Sequence, residues 1–226
     1  MLQHCSWWIC QSCNELTPVE RPYIAAMTEE VMKYPFMVWD RGRREDSSGH
    51  ICDRRLELGQ PAKLRNWLLI GDLADAADVG AGKLKHLRIT AVLNLCPQFQ
   101  STEERQTLEQ NLRNQGVQDY LELFAEDRRD YEIIQNDLAA SLEFTRRVRD
   151  SGGAVLVHCY GGVNRSGAIV VALLMLLERS TLLAATAETV AKRGYVLSNE
   201  SFRRQLVLLA SHEQLLEGQR SQSSGD

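Results

Sequence analysis

The feature that most constrains the fold is a stretch in which a short apolar run, a glycine-containing loop and a helical pattern follow one another. The run AVLV at residues 154–157 leads into His158 and Cys159, and Arg165 opens an apolar helical pattern. A strand, a loop and a helix N terminus in this order form an anion cradle, because loop N–H groups point inward and the helix dipole adds partial positive charge. Residues 159–165, called the cysteine loop below, therefore predict an anion site on an α/β domain.

Three side chains of this stretch carry chemistry that such a cradle can perform. Cys159 stands where the loop and the helix N terminus keep a thiol ionised, which predicts a nucleophile. Arg165 offers a planar fork for two oxygens of a phosphoryl group, and Ser166 can donate a hydrogen bond to the sulfur. The alternative is a buried strand cysteine before an ordinary turn, which describes many free cysteines. We prefer the catalytic interpretation because all three residues occur together in a strand–loop–helix context.

The string HCYGGVNRSG at residues 158–167 resembles the His-Cys-x5-Arg-Ser/Thr signature of the cysteine-dependent phosphatases, in particular the small dual-specificity protein phosphatases. The segment LLIGDLADAADVGAGKLKHLRITAVLNL at residues 68–95 resembles the opening of the same domain. The resemblance implies a cysteine-phosphatase fold, which is an α/β fold with a central, mostly parallel sheet flanked by helices. It also implies that the substrate phosphate is bound by Tyr160, Gly161, Gly162, Val163, Asn164 and Arg165.

Two further residues are predicted to support the cysteine loop. His158 precedes the nucleophile, where it is expected to hold the loop by hydrogen bonds and to favour the thiolate. Asn199 lies in a segment, VLSNESF, that resembles the one before the last helix of the family, where an asparagine braces the loop. The alternatives are a satisfied core histidine and a plain N-cap of the last helix.

Periodicity predicts the elements of the domain. Apolar runs predict strands at residues 67–72, 89–96, 119–124 and 154–159, and helical patterns lie at 74–87, 101–116, 131–150, 165–178, 182–193 and 201–217. Strands that alternate with helices predict a largely parallel sheet. Because functional groups gather at the carboxyl ends of such strands, the loop at residues 125–130, called the acid loop below, is expected beside Cys159.

The acid loop is predicted to supply a general acid, since the departing oxygen must be protonated as the P–O bond breaks. Three carboxylates compete for this role, namely Glu126, Asp127 and Asp130. The residues alone leave Asp127 and Asp130 open, with the alternative that each is a surface carboxylate paired with a neighbouring arginine. The resemblance selects Asp127, whose spacing before Cys159 is similar to that in the family.

The expected reaction needs neither a metal nor a cofactor and passes through a cysteinyl-phosphate. We expect a phosphoprotein substrate carrying phosphotyrosine or phosphoserine/threonine, because no segment supplies a deep phosphotyrosine wall. The cysteine loop has no lysine or additional arginine, which argues against phosphoinositides. Asn164 before Arg165 also resembles the loop of RNA 5′-triphosphatases, which is the alternative. A phosphate-binding module without turnover would be indicated by loss of Cys159, Arg165 or the acid, and all are present.

Composition limits the partners and the compartment. The 226 residues are 44% hydrophobic and 25% charged, and the net charge of −4 gives no electrostatic case for nucleic acid or membrane binding. No apolar run reaches the ~18 residues of a membrane span. The N-terminal residues do not show the basic segment and apolar core of a secretory signal, and the cysteines are not arranged as a disulfide framework. Both features predict an intracellular location, cytoplasmic or nuclear. Cys96, also at a strand's carboxyl end, is predicted to be either a redox partner of Cys159 or a small buried hydrophobe.

The chain is predicted to divide into an N-terminal extension at residues 1–55, a catalytic domain at 56–217 and a disordered tail at 218–226. Cys10 and Cys13 form a C-x2-C pair that resembles half of a zinc ribbon, but His50 and Cys52 would complete it at an unusual spacing. We therefore expect no metal here and a docking arm instead. The pattern RRLEL at residues 54–58 resembles peptides that dock on protein kinases, so a kinase is a candidate partner, with a solvated charge run as the alternative.

Overall fold

The computed structural model describes residues 16–33, 61–77 and 82–218, which form one sheet with helices on both faces. The sheet order is β1-β2-β5-β3-β4, with β1 at Ala62–Lys63, β2 at Leu68–Gly71, β3 at Ala91–Asn94, β4 at Asp119–Glu122 and β5 at Val155–His158. Strand β1 pairs antiparallel with β2, and the other pairs are parallel. The predicted mostly parallel α/β sheet is thus confirmed. The predicted strands contain β2 to β5, whereas the two-residue β1 is too short to give a pattern.

The helices alternate with the strands as periodicity predicts. They are α1 at Arg21–Met32, α2 at Leu73–Ala77, α3 at Lys83–His86, α4 at Thr102–Asn114, α5 at Ile133–Asp150, α6 at Arg165–Glu178, α7 at Leu182–Arg193 and α8 at Glu200–His212. The bounds of α6 and α7 are the predicted ones. The single helix predicted at residues 74–87 is wrong, because α2 and α3 replace it; Gly82 before α3 has φ of +58°, which a continuous helix excludes.

Alternation along the strands separates two apolar layers. Leu68 and Ile70 of β2 pack into the larger cluster, beneath α5, α6, α7 and α8, while Leu69 between them packs into a smaller cluster with α2 and α4. The same alternation holds for Val157 and Leu156 on β5. Both faces of β2, β3 and β5 are therefore buried, which explains why these three strands have nearly continuous apolar sequences, whereas the edge strand β4 is partly exposed.

Helix α6 is the axis of the larger layer, and its first residues follow the cysteine loop directly. Every side chain from Arg165 to Met175 is buried, and α5, α7 and α8 pack around the helix. Because strand β5 lies in the middle of the sheet, the β5–loop–α6 unit is fixed on both sides. The strand and the helix on either side of the cysteine loop are thus enclosed by the rest of the fold.

Helix α1 packs on this layer although it lies within the predicted N-terminal extension. Met27 and Val31 are buried against α7 and α8, and the Tyr23 hydroxyl donates a 2.6 Å hydrogen bond to the carbonyl of Glu217. Two buried residues are too few to give a periodic signal, although Pro22 at the helix start is a local indication. The Cys10–Cys13 pair, the pattern at residues 54–58 and residues 219–226 of the predicted tail lie outside the described residues. Among the described helices, none is both long and apolar enough to cross a bilayer.

Candidate active site

The candidate nucleophile lies at the carboxyl end of the central strand. Cys159 follows β5 directly and is buried, and its sulfur lies 3.3 Å from the hydroxyl oxygen of Ser166 on the first turn of α6. A hydroxyl at this distance can donate to a sulfur atom and stabilises its anionic form more than its neutral form. The strand end and the helix start therefore bring together the pair that the sequence predicts, and the role of Ser166 in sulfur departure stays a prediction.

The two loop glycines have different surroundings. Gly162 has φ of +65°, and a Cβ there would lie 2.2 Å from Nη2 of Arg193 and 2.8 Å from the carbonyl oxygen of Gly71. At Gly161 the nearest atom to such a Cβ would be the Val163 side chain at 3.8 Å, which is an ordinary contact. The folded protein itself therefore excludes a side chain at Gly162 and leaves room for one at Gly161.

Arg193, at the end of α7, supports the loop from below and was not foreseen in the sequence. Its buried guanidinium donates to Asp72 and Asp75, each at 3.2 Å, and its Nε donates to the carbonyl of Gly162 at 3.4 Å. Asp72 and Asp75 also accept from each other's backbone N–H groups at the start of α2. Burial raises the pKa of Asp75, and Arg193 partly offsets that rise. No local pattern links Asp72 and Asp75 to an arginine 121 and 118 positions later in the chain.

Arg165 is a buried cation at the start of α6. Its side chain is 4% exposed, its Nη1 donates to the carbonyl of Ala125 at 3.3 Å, and its Nε has no hydrogen-bond partner within the described part of the chain. The ring of Phe99 lies 5.2 Å from the guanidinium carbon and covers it. No carboxylate of the described residues forms an ion pair with Arg165. Because a buried charge is costly unless it is paired, this group is suited to receive an anion.

The acid loop separates its three carboxylates. Glu126 and Asp130 both pair with Arg128, which lies in the same loop, and that pairing lowers the pKa of Asp130. A lowered pKa makes Asp130 a poor proton donor at neutral pH. Asp127 instead accepts hydrogen bonds from Asn164 of the cysteine loop and from Asn199, both at 3.1 Å. The geometry favours Asp127 over the two alternatives.

Asn199 caps α8 and contacts both loops, and its role in bracing the cysteine loop stays a prediction. Its Oδ1 accepts from the backbone N–H of Ser201 at 3.1 Å and so caps α8, while its Nδ2 donates to Asp127 and to the carbonyl of Arg128. Its own backbone N–H donates to the side-chain oxygen of Asn164 at 2.9 Å. The residue joins the last helix, the acid loop and the cysteine loop.

His158 and Cys96 are both neutral groups beneath the loop. Burial lowers the pKa of His158 to about 4, and an interaction with the backbone of Cys159 partly offsets the fall. The predicted support of the loop by hydrogen bonds from the imidazole stays a prediction. Burial raises the pKa of Cys96 to about 12, with the charge of Cys159 adding to the rise. Cys96 is a buried protonated thiol near Cys159, and its redox role stays a prediction.

Exposed aromatic rings surround the mouth of the site. Phe99, Phe124 and Tyr160 are each more than half exposed. The rings of Phe99 and Tyr160 are in contact, with centroids 5.3 Å apart and planes tilted by 45°. Tyr160, predicted to bind phosphate, can do so through its backbone, because its side chain faces solvent beside Phe99. The mouth is thus a polar cradle with an apolar rim.

Comparisons with known proteins agree with this geometry. The family model described as "Dual specificity phosphatase, catalytic domain" matches residues 73–212. Human dual specificity protein phosphatase 2 is 30% identical over 171 residues, which are 74% of this chain and 48% of that protein. Dual specificity protein phosphatase 26 of Bos taurus is 34% identical over 128 residues, which are 56% of this chain and 57% of that protein. The chain thus spans about half the length of these relatives.

A solved structure shows the same fold. OH1 from the Orf virus, described as a tyrosine phosphatase with triple substrate specificity, superposes with a TM-score of 0.59 at 20% identity. The superposition covers 84% of this chain and 96% of OH1.

Proposed function

Because the chain belongs to the dual-specificity phosphatase family, we propose that it is a protein phosphatase that hydrolyses phosphotyrosine and phosphoserine/threonine. One observation carries the proposal. The buried guanidinium of Arg165 has no anionic partner among the described residues and lies on the loop that begins at Cys159. A dianionic phosphoryl group can pair with this guanidinium, and its phosphorus then lies next to the sulfur of Cys159.

The first half of the reaction forms a phosphorus–sulfur bond. The thiolate of Cys159 attacks phosphorus, while Arg165 and the N–H groups of the cysteine loop hold the equatorial oxygens. The P–O bond to the substrate breaks, and the departing oxygen takes its proton from Asp127. The products are the free hydroxyl of the substrate and a cysteinyl-phosphate.

The second half returns the enzyme to its starting state. Asp127, now a carboxylate, takes a proton from water, whose oxygen attacks phosphorus. The P–S bond breaks and inorganic phosphate leaves, while the Ser166 hydroxyl at 3.3 Å stabilises the departing thiolate. All bonds made and broken are accounted for by Cys159, Asp127 and water, so these steps call on no cofactor.

The rim supports a protein substrate. Phe99 and Tyr160 offer an exposed apolar surface where a phosphorylated side chain enters, and such a surface suits the ring of phosphotyrosine as well as the residues next to a phosphothreonine. Asn164, the source of the likeness to RNA 5′-triphosphatases, uses its side chain on Asp127 and on Ser198 and Asn199, so we favour the protein substrate. A catalytic thiolate also fits a reducing, intracellular compartment, and a phosphorylated protein kinase is one substrate to test.

The nucleophile is tested with a pair of cysteine variants. Cys159→Ser should abolish release of phosphate from phosphotyrosyl and phosphothreonyl peptides while still binding them, because the cradle and Arg165 remain. Cys96→Ser is the matched control, since it changes the other buried thiol near the site and should keep most of the turnover. A Cys159→Ser protein that retains activity, or a wild type that hydrolyses triphosphate-ended RNA faster than both peptides, would contradict the proposal.

The acid is tested with a pair of aspartate variants. Asp127→Ala should lower kcat by about 10²-fold or more, the range of general acid catalysis, and the loss should be largest for poor leaving groups. Asp130→Ala should have little effect, because its carboxylate is already paired with Arg128 at the surface. The reverse result would assign the acid to Asp130.

A further inference from the structure

Asn164 occupies the N-cap position of α6 but does not cap that helix. An asparagine at this position ordinarily accepts a hydrogen bond from a backbone N–H of its own first turn. Here the side chain makes no capping bond and is turned toward two other segments. Asparagine is favoured at N-cap positions because it caps the helix, and Asn164 does not. Such departures from a local preference are expected at functional positions.

The polar groups of the Asn164 side chain are used on both segments. Its Oδ1 accepts from the hydroxyl of Ser198 and from the backbone N–H of Asn199, each at 2.9 Å. Its Nδ2 donates to Oδ2 of Asp127 at 3.1 Å. The accepted bonds fix the plane of the amide, so the N–H that faces Asp127 has a defined direction.

Asp127 is an exposed carboxylate in a loop, and nothing in its own segment fixes its orientation. The amide of Asn164 takes one oxygen and the amide of Asn199 takes the other, each at 3.1 Å. Two donors of fixed direction, one for each oxygen, restrict the rotation of the carboxylate about its side-chain bonds. The backbone is held as well, since Arg165 and the side chain of Gln98 both donate to the carbonyl of Ala125.

From this arrangement we propose that Asn164 is a positioning residue, which orients Asp127 beside the cysteine loop and joins the acid loop to the cysteine loop. The inference rests on the proposed function, because it concerns the delivery of a proton by Asp127. It assigns the Asn164 side chain to the acid, whereas its backbone remains part of the phosphate cradle. Asn164 then contributes its backbone to anion binding and its side chain to proton delivery. Asp127 is therefore already oriented when a phosphoryl group binds.

The proposal is tested by the dependence of rate on the leaving group. Asn164→Ala should lower kcat by about 10-fold on an unactivated aryl phosphate, which is less than the ~10²-fold that a 1 Å misplacement of a reacting group can cost, because Asn199 still holds Asp127. On an aryl phosphate with a strongly electron-withdrawing substituent, whose oxygen leaves without a proton, kcat should fall by less than about 3-fold. Inhibition by vanadate should stay within about 2-fold of wild type, since the cradle is backbone and Arg165. Asn114→Ala, which changes an asparagine at the far end of α4, is the control and should leave all three values unchanged.

A double-mutant cycle separates positioning from a general role in folding. In the Asp127→Ala background, Asn164→Ala should cause less than about 2-fold further loss, because the group it orients is absent. Equal losses for both leaving groups, a full further loss in the Asp127→Ala background, or vanadate inhibition weakened more than about 10-fold would each overturn the inference. Failure of the proposed function has a different signature, since the wild-type protein would then hydrolyse neither aryl phosphate.

Discussion

Alanine at Gly162 should damage the protein far more than alanine at its neighbour Gly161. A side chain at φ of +65° costs about 1–2 kcal/mol for the left-handed backbone alone. The new Cβ would also lie 2.2 Å from Nη2 of Arg193, which must move. That movement threatens the buried ion pairs of Arg193 with Asp72 and Asp75, and breaking a buried pair costs about 3–5 kcal/mol. We expect Gly162→Ala to lower the free energy of unfolding by at least about 3 kcal/mol.

The assay is urea unfolding of the two variants and the wild type, together with vanadate inhibition. Gly161→Ala should change stability by less than about 1 kcal/mol, because its Cβ meets only an ordinary contact at 3.8 Å. In an Arg193→Ala background the cost of Gly162→Ala should fall, since the main obstacle is gone. Equal costs at the two glycines, or a Gly162→Ala cost that is the same with and without Arg193, would refute the reasoning.

Three further predictions concern buried groups. Met27→Ala on α1 should lower the free energy of unfolding by about 2–5 kcal/mol, whereas Met32→Ala, an exposed residue of the same helix, should change it by less than about 0.5 kcal/mol in urea unfolding. The pKa of His158 falls from 6.5 to about 4 on folding, so the unfolded chain binds the extra proton and stability should fall as pH drops through this window, by about 3 kcal/mol in total. Urea unfolding at a series of pH values should show this fall in the wild type and a smaller one in His158→Asn. Because burial raises the pKa of Cys96 to about 12, alkylation at pH 8 followed by peptide mapping should find Cys96 unmodified in the folded protein and modified after denaturation.

The parts of the fold that the sequence predicts are those with a strong local period. Helix α6 is apolar on all sides after its first turn because it is enclosed on all sides, and its bounds follow from the pattern. Strands β2, β3 and β5 are buried on both faces and therefore give nearly continuous apolar runs. Helix α1 escapes prediction because only Met27 and Val31 are buried, so its stability depends on a surface formed by α7 and α8, far away in the chain.

The residues of the candidate site likewise differ in whether a local sequence pattern predicts them. Cys159, Arg165 and Ser166 lie within eight residues of one another, so a local motif places them. The position of Asp127 near Cys159 follows only from the expectation that parallel strands end at the same edge of the sheet. The residues alone do not distinguish Asp127 from Asp130, and the choice between them depends on the resemblance to the family. Arg193 has no local signal, because its partners at the start of α2 are brought to it only by the folded sheet.

Three departures from local rules lie within the ten residues from His158 to Gly167. They are a left-handed Gly162, an N-cap asparagine whose side chain makes no capping bond to its helix and a buried Arg165 with no carboxylate partner among the described residues. Such departures cost stability, and the surrounding layers of the sheet and α6 hold the segment in place. Under the proposed function, an anion bound to the cysteine loop pairs with Arg165 and so stabilises the folded protein. The residues that cost stability in this segment are therefore among those that the proposed function assigns to phosphate binding.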